Sequence, residues 1–357
     1  MTWHLQAIQR LEKATIRHRA FDDRVRHLTE CLALRRGAEF FVVAGPTHVG
    51  KSKIVETSTN RLLKGMRVGP ADIPIVKIVT DNSSTNGFFS TKAFMVSACR
   101  AVRHPFFDGK SGQDWGPPLD APRPPSESML REAFLYGLRK RNAAVLVVDE
   151  LQQVLHCKGG WNAALRVLDS FKGLALNAGI PLVMAGSYVL LQMVRELPHL
   201  VSRSTCVHVE PYDVDDPGDL KVLFGAFRHL VAGCPLEGGD TALTELAELV
   251  IPRSVGSVGH MSRWVVKAIR QAKATESHLL GKSHFIASAF TLADSSGFRE
   301  EIRKGRELFR PDNTGLGDPS PDPSQDRPQT ANRRPRPFTA KPHRHPSSTK
   351  SNKGRTP

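Results

Sequence analysis

The stretch GPTHVGKS, Gly45 to Ser52, follows the apolar run EFFVVA and contains the residue types that bind phosphate. It matches the spacing G-x-x-x-x-G-K-[ST], in which two glycines let backbone amides turn towards a phosphate chain. Lys51 would reach the terminal phosphates and Ser52 would offer a hydroxyl to Mg²⁺, next to the partial positive charge of a helix N-terminus. The sequence therefore predicts a nucleotide-binding loop made of Gly45, Pro46, Thr47, His48, Val49, Gly50, Lys51, Ser52 and Lys53.

A second segment, AAVLVVDELQQV, helps to decide which class of protein contains this loop. Its predicted strand ends in Asp149, which would hold Mg²⁺ through water, and Glu150, which would polarise an attacking water molecule. Kinases that transfer phosphate to a hydroxyl do not need this glutamate, and the base-reading motif N-K-x-D of GTPases is absent from the sequence. We therefore expect ATP and Mg²⁺ as cofactors and hydrolysis as the reaction.

Three more residues fit an ATPase whose sites lie between subunits. Ser187 ends the predicted strand IPLVMAGS, where it would orient the water or touch the γ-phosphate, unless it is only a helix cap. Arg203 precedes the last predicted strand, where an arginine would neutralise charge on a neighbouring subunit's nucleotide. Arg195 is a second candidate for this role. The alternative is that Arg203 is only a surface arginine. Arg263 follows two glycines near the start of a helix and is a candidate nucleotide-sensing residue.

The pattern between about residues 30 and 210 alternates short apolar runs with helical segments. The runs FFVVA, IPIVKIVT, AAVLVVDE and IPLVMAG are largely continuous, which is typical of strands buried on both faces of a parallel sheet. Beyond Asp213 only helical patterns occur, and HFIASAFTLADSS is predicted as one helix. We predict an α/β fold with a three-layer core, and we divide the chain into a helical lead-in (1–36), a nucleotide-binding core (37–212), a helical lid (213–310) and a disordered basic tail (311–357).

Charge and composition indicate the class of partner. The chain has 357 residues, a net charge of +15 and 40% hydrophobic residues, so it can form a substantial core and favours polyanionic partners such as nucleic acid. After Asp326 the tail contains nine Arg or Lys residues and no acidic residue, a composition that binds phosphate backbones without reading sequence. The five cysteines are scattered and no apolar run is long enough to span a membrane, so we expect a cytoplasmic, nucleoid-associated protein without a membrane partner.

These motifs together resemble the AAA+ family and, within it, the TniB/TnsC-type ATP-binding transposition proteins. The resemblance covers about residues 17–295 and is carried by RHRAFDDRVRHLTECLALRRGAEFFVVAGPTHVGKSKIVE, VLVVDELQQVL, IPLVMAGS and LVSRS. It implies an AAA+ core that binds ATP at subunit interfaces and assembles as a ring or helical filament on double-stranded DNA. It also implies that the assembly passes a target site to a DDE-type transposase with a target-selection protein, and that hydrolysis resets it.

The same resemblance assigns roles to individual residues. It gives the family roles in binding and hydrolysis to Lys51, Ser52, Asp149, Glu150, Ser187 and Arg203. It places DNA contacts after the second strand, in TDNSSTNGFFSTKAFMVSACR, where Lys92 is the first candidate and Arg100 and Arg103 follow. The Pro-rich stretch 104–126 and the long basic tail depart from the family pattern.

Three other functions remain open from the sequence. A helper ATPase in replication, such as a helicase loader, would use the same chemistry. A nucleotide-gated scaffold would use ATP only to stabilise an oligomer, so Glu150→Gln would leave its behaviour unchanged. A P-loop kinase of small metabolites would turn over independently of DNA and of protein concentration.

Overall fold

The computed structural model describes residues 2–13, 15–35, 37–82, 87–105, 107 and 125–309. All of them belong to one compact unit, Met1–Arg310. The predicted tail and most of the Pro-rich stretch 104–126 lie outside the described residues. Among the helices of the described part, none is long and apolar enough to cross a membrane.

Five parallel strands form one sheet, in the order β2-β3-β4-β1-β5. The three inner strands are buried along their whole length, as their continuous apolar runs predict, whereas each of the two edge strands has exposed positions. The strands are β1 (Phe40–Ala44), β2 (Ile75–Val79), β3 (Val145–Asp149), β4 (Leu182–Gly186) and β5 (Ser204–His208).

Helices cover both faces of this sheet and form a separate cluster beyond it. The helices are α1 (Trp3–Lys13), α2 (Arg19–Ala33), α3 (Lys51–Leu63), α4 (Thr91–Ala101), α5 (Glu127–Lys140), α6 (Gly160–Ala178), α7 (Tyr188–Arg195), α8 (Pro198–Val201), α9 (Pro217–Val231), α10 (Gly239–Arg253), α11 (Val258–Ala274), α12 (Lys282–Ala287) and α13 (Leu292–Leu308). A short 3-10 helix, Leu151–His156, follows β3. The expected α/β class with a parallel sheet is confirmed.

Three hydrophobic clusters define the layers. One face of the sheet packs against α4–α7, and the other face packs against α2 and α3. The third cluster joins α9–α12 around the fully buried Trp264, whose indole N–H donates to the carbonyl of Phe285 at 3.0 Å. α1 contributes Ala7 and Leu11 to this third cluster, so the two helices of the predicted lead-in pack in different places.

One predicted helix is wrong. HFIASAFTLADSS forms the end of α12 and the start of α13, because Thr291 begins a new helix. Its hydroxyl accepts from the N–H of Asp294 at 3.1 Å, and the Asp294 carboxylate accepts from the N–H of Thr291 at 2.9 Å. This reciprocal cap satisfies donors that would otherwise have no partner at a helix start. α13 then continues to Leu308, well beyond the predicted end.

Candidate functional site

The turn between β1 and α3 has the backbone geometry of a phosphate-binding loop. A Cβ added to Gly45 would lie 2.3 Å from the carbonyl oxygen of Val209, so only glycine fits this close approach. Gly50 precedes α3 with φ +96°, a left-handed conformation that favours glycine. His48 is also left-handed, at φ 61°, and shares this tight turn. The two glycines of the motif therefore lie where the chain requires them.

Lys51 is the first residue of α3 and is 8% exposed. Its ammonium donates to the carbonyl oxygens of Gly45 at 3.0 Å and Pro46 at 2.7 Å, so it lies across the mouth of the loop. Burial lowers the pKa of Lys51 below its ordinary value, while nearby carboxylates, first that of Glu150, act in the opposite direction. The loop therefore combines a buried cation with the N-terminus of a helix, which is an environment suited to an anion.

The predicted acidic pair lies at the carboxyl end of β3. The Asp149 side chain is almost fully buried, and its Oδ1 accepts from the N–H of Glu150 at 3.0 Å. Its Oδ2 lies 3.0 Å from the Nζ of Lys77, a residue of β2 that the sequence analysis did not single out. Glu150 has φ 55°, an uncommon value for a residue other than glycine. The carboxylate of Asp149 is therefore paired with a lysine of the neighbouring strand β2.

A divalent cation would need ligands beyond the side chains here. Within the described residues, no group of three or more His, Cys, Asp or Glu side chains could hold a metal ion alone. Mg²⁺ is commonly bound through one or two protein oxygens together with phosphate oxygens and water. The hydroxyl of Ser52 and the carboxylate of Asp149 are oxygen donors of that type, so this donor set fits Mg²⁺ bound with a nucleotide.

Ser187 follows β4, between the loop at β1 and the acidic pair at β3. Its N–H donates to Oε1 of Gln152 at 3.2 Å, and Nε2 of Gln152 donates to Oε2 of Glu150 at 2.5 Å. The structure thus brings Glu150 and Ser187 together through an amide that sequence reasoning missed. In the sequence, the only indication of a role for Gln152 was its position two residues after Glu150 in the segment DELQQ.

Arg203 lies at the opposite end of the sheet from the loop. It precedes β5, and its carbonyl accepts from the N–H of Phe40, the first residue of β1, at 3.2 Å. The loop begins after the last residue of β1, and a strand of this length spans about 15 Å. Arg203 is exposed and is thus distant from its own chain's loop. The competing Arg195 donates through its guanidinium to the carbonyl of Leu308.

The start of α11 packs directly on the loop. A Cβ added to Gly259 would lie 1.7 Å from the carbonyl oxygen of His48, and the hydroxyl of Ser257 donates to the same oxygen at 3.2 Å. Burial and then the positive charges of Arg263 and Lys51 lower the pKa of His48, while Glu150 opposes them. Arg263 is exposed on this helix, and its role as a nucleotide-sensing residue stays a prediction.

The three DNA-contact candidates lie along α4 and just after its end. Lys92 lies in the first turn of α4 and Arg100 in its last turn, which at 1.5 Å per residue are about 12 Å apart along the helix. Both side chains are exposed. Arg103 follows the helix with φ 50°, and its carbonyl accepts from the guanidinium of Arg141 at 2.9 Å. Their role in DNA binding stays a prediction.

An unpredicted contact covers the loop from the C-terminal side. Glu301 of α13 accepts from the N–H of Thr47 at 3.1 Å and from its hydroxyl at 3.3 Å. A carboxylate therefore accepts hydrogen bonds from loop atoms that would face a phosphate.

Two further contacts hold α13 in this position. Arg306 pairs with Glu210 at 2.6 Å, and the ring of Phe309 stacks on His208 with centroids 3.9 Å apart. The last helix thus packs along the same edge of the sheet as the loop.

Comparison with known proteins gives one family match and several similar folds. Residues 34–194 match the sequence model of the family described as AAA domain. The chain is similar to the solved ORC1 protein of Aeropyrum pernix in complex with DNA, with 14% identity, a TM-score of 0.51 and coverage of 75% of this chain and 64% of that chain. It is also similar to Cdc6p from Pyrobaculum aerophilum, with 14% identity, a TM-score of 0.50 and coverage of 76% and 67%. No curated protein sequence matches the chain.

These matches establish the fold. Residues 34–194 match the AAA domain model, and the parallel sheet shares its fold with the ORC1 structure. The chain spans 64% of the length of the ORC1 chain, which is less than two thirds. The narrower resemblance to TniB/TnsC-type proteins stays a prediction.

Protonation of His260, beneath the loop, makes folding depend on pH. The side chain is 1% exposed, its ring lies 5.7 Å from that of His48, and burial lowers its pKa to about 4. The folded protein therefore keeps His260 neutral while the unfolded chain binds a proton below its ordinary pKa of 6.5. We expect the free energy of unfolding to fall as the pH drops from about 6.5 to 4.

Urea titrations across this pH range measure the effect. His260→Leu should flatten the dependence by up to about 1.4 kcal/mol per pH unit, the value for one proton. His18 and His208, whose pKa values burial also lowers to about 4, should keep their share of the slope. His278→Leu, at an exposed position, is the control and should leave the slope unchanged. Equal slopes for wild type and His260→Leu would contradict this assignment.

Proposed function

We propose that this protein binds ATP with Mg²⁺ and hydrolyses it. The observation that carries the proposal is the convergence of the loop at β1 and the pair Asp149–Glu150 at β3 on one edge of a parallel sheet, with β4 between them. Ligands of open α/β sheets bind at the carboxyl ends of the strands. The fold of P-loop AAA+ ATPases supports the same reading.

The proposed roles follow from the chemistry of each side chain. Lys51 and the N-terminus of α3 would neutralise the phosphates, and Arg263 would sense them from α11. Ser52 and Asp149 would hold Mg²⁺, which supplies charge neutralisation at the phosphate oxygens when it is bound. Glu150 would accept a hydrogen bond from the attacking water and so orient it. Ser187 would contact the water or the γ-phosphate.

The position of Arg203 supports an oligomer. Because it is exposed at the far end of the sheet, it would reach a nucleotide only on a neighbouring subunit. A head-to-tail arrangement of this kind gives a ring if the rotation closes and a helical filament if it does not. The complete site would therefore form only in a homo-oligomer.

Double-stranded DNA is the proposed polymer on which this oligomer assembles. The net charge of +15 and the nine cations of the chain after Asp326 support a polyanionic partner. The fold is shared with an ORC1 protein that was solved in complex with DNA. Lys92, Arg100 and Arg103 are the proposed contacts within the described residues.

We further propose that this ATPase acts in DNA transposition. The resemblance to TniB/TnsC-type proteins supports a role in recruiting a DDE-type transposase, with a target-selection protein as a further partner. A helper ATPase in replication, which would use the same chemistry, is the second candidate. A transposase pull-down from ATP-loaded filaments distinguishes the two.

Purified protein with ATP or ADP, with and without duplex DNA, tests the activity and the assembly together. We expect ATP-dependent rings or filaments on the duplex by negative-stain electron microscopy, and phosphate release that rises with protein concentration. Glu150→Gln should lower hydrolysis by about 10²-fold and trap the protein on DNA, because only the water-orienting carboxylate is lost.

Two outcomes would contradict the proposal. Single particles under all four conditions would exclude the oligomeric ATPase and favour a kinase. Turnover and DNA release unchanged in Glu150→Gln would exclude essential hydrolysis and favour a scaffold.

Glu301 competes for the loop in this proposal, since a phosphate entering the loop would displace its carboxylate from Thr47. Glu301→Gln removes the negative charge but keeps the size, so it should tighten ATP binding by about three- to tenfold. Titration with a fluorescent ATP analogue at low salt measures this change. Glu300→Gln is the matched control, because the adjacent carboxylate bonds Arg303 instead. Equal affinities for the two variants would refute the competition.

A further inference from the structure

Both the oxygen and the nitrogen of the Gln152 side-chain amide form hydrogen bonds at the candidate site. Gln152 is half-buried at the start of the 3-10 helix that follows β3. Its Oε1 accepts from the N–H of Ser187 at 3.2 Å, and its Nε2 donates to Oε2 of Glu150 at 2.5 Å. The side chain therefore links the carboxyl ends of β3 and β4.

The chemistry of its partners fixes the orientation of this amide. A backbone N–H such as that of Ser187 can only donate, so the oxygen of Gln152 must face β4. The amide nitrogen then faces Glu150, whose ionised carboxylate can only accept. Gly186 leaves room for this arrangement, because a Cβ there would lie 2.8 Å from Oε1 of Gln152. Rotating the amide by half a turn would break both hydrogen bonds.

The main chain of Glu150 is held from another side. The hydroxyl of Thr80, just after β2, donates to the carbonyl oxygens of Asp149 at 3.0 Å and Glu150 at 2.5 Å. This contact supports the left-handed conformation of Glu150. With its backbone held by Thr80 and its Oε2 held by Gln152, Glu150 has Oε1 as the remaining carboxylate oxygen.

We propose that Gln152 is a positioning residue for hydrolysis: it holds one oxygen of Glu150 so that the other faces the attacking water. The inference rests on the proposed ATPase activity and adds a residue to it. A misplacement of about 1 Å in a catalytic group lowers rates by about 10²-fold, so fixing this carboxylate matters for the rate.

Steady-state kinetics on full-length protein with duplex DNA test this role. Gln152→Ala should lower kcat by about 10- to 100-fold and change KM less than about twofold, because the residue contacts Glu150 and not the phosphates. Gln153→Ala is the matched control; its side chain accepts from Asn82 at 2.8 Å instead, and kcat should change little.

A double-mutant cycle separates positioning from folding. In a Glu150→Gln background, Gln152→Ala should cause no further loss, because its effect passes through that carboxylate. The isosteric Gln152→Glu provides a second test that keeps the volume and the acceptor for the N–H of Ser187 but removes the donor to Glu150; it should lower kcat. A further loss in the Glu150→Gln background, or kcat within twofold of wild type in both Gln152 variants, would overturn the inference alone. A wild-type protein without ATPase activity would overturn the proposed function and this inference with it.

Discussion

Parallel pairing of β1, β3 and β4 is the constraint on which the candidate site depends, because it brings three strand ends to one edge of the sheet. Each end contributes one part: the loop with Lys51, the pair Asp149–Glu150, and Ser187. Neighbouring strands lie about 4.8 Å apart, so β1 and β3 lie about 10 Å apart with β4 between them. This spacing lets one amide, Gln152, connect the ends of β3 and β4. Because the strands are parallel, Arg203, which precedes β5, lies at the end of the sheet where the strands begin. It is therefore outside its own chain's site.

Electrostatic balance is the second feature that the fold imposes on this edge. The loop, the buried ammonium of Lys51 and the start of α3 all favour an anion. Within the chain, the carboxylate of Glu301 takes the place of a bound anion by accepting a hydrogen bond from the N–H of Thr47. The ammonium of Lys77 forms an ion pair with the carboxylate of Asp149. A nucleotide with Mg²⁺ would replace both of these internal partners. Binding would therefore exchange internal ion pairs and hydrogen bonds for contacts with the nucleotide and Mg²⁺, and the position of α13 would affect the affinity.

Local pattern was enough to predict the loop between β1 and α3, the acidic pair at the end of β3 and the parallel sheet. These features depend on residues close together in the sequence, such as two glycines five positions apart or a continuous apolar run. The contacts of Lys77, Gln152 and Glu301 depend instead on strand order and on a helix that packs back over the loop from more than two hundred residues away. The break at Thr291 was missed because the apolar pattern continues across it, while the reciprocal cap decides the boundary.

In the proposed assembly a complete site would form only between two subunits, and mixing two inactive variants tests this most directly. Arg203→Ala keeps Glu150 and lacks the arginine, whereas Glu150→Gln keeps the arginine and lacks the carboxylate. In a random mixture, about a quarter of the interfaces should combine the intact half of each variant, so ATP hydrolysis should return to about a quarter of the wild-type rate. No recovery in mixed oligomers, or full activity of Arg203→Ala alone, would contradict a site shared between subunits.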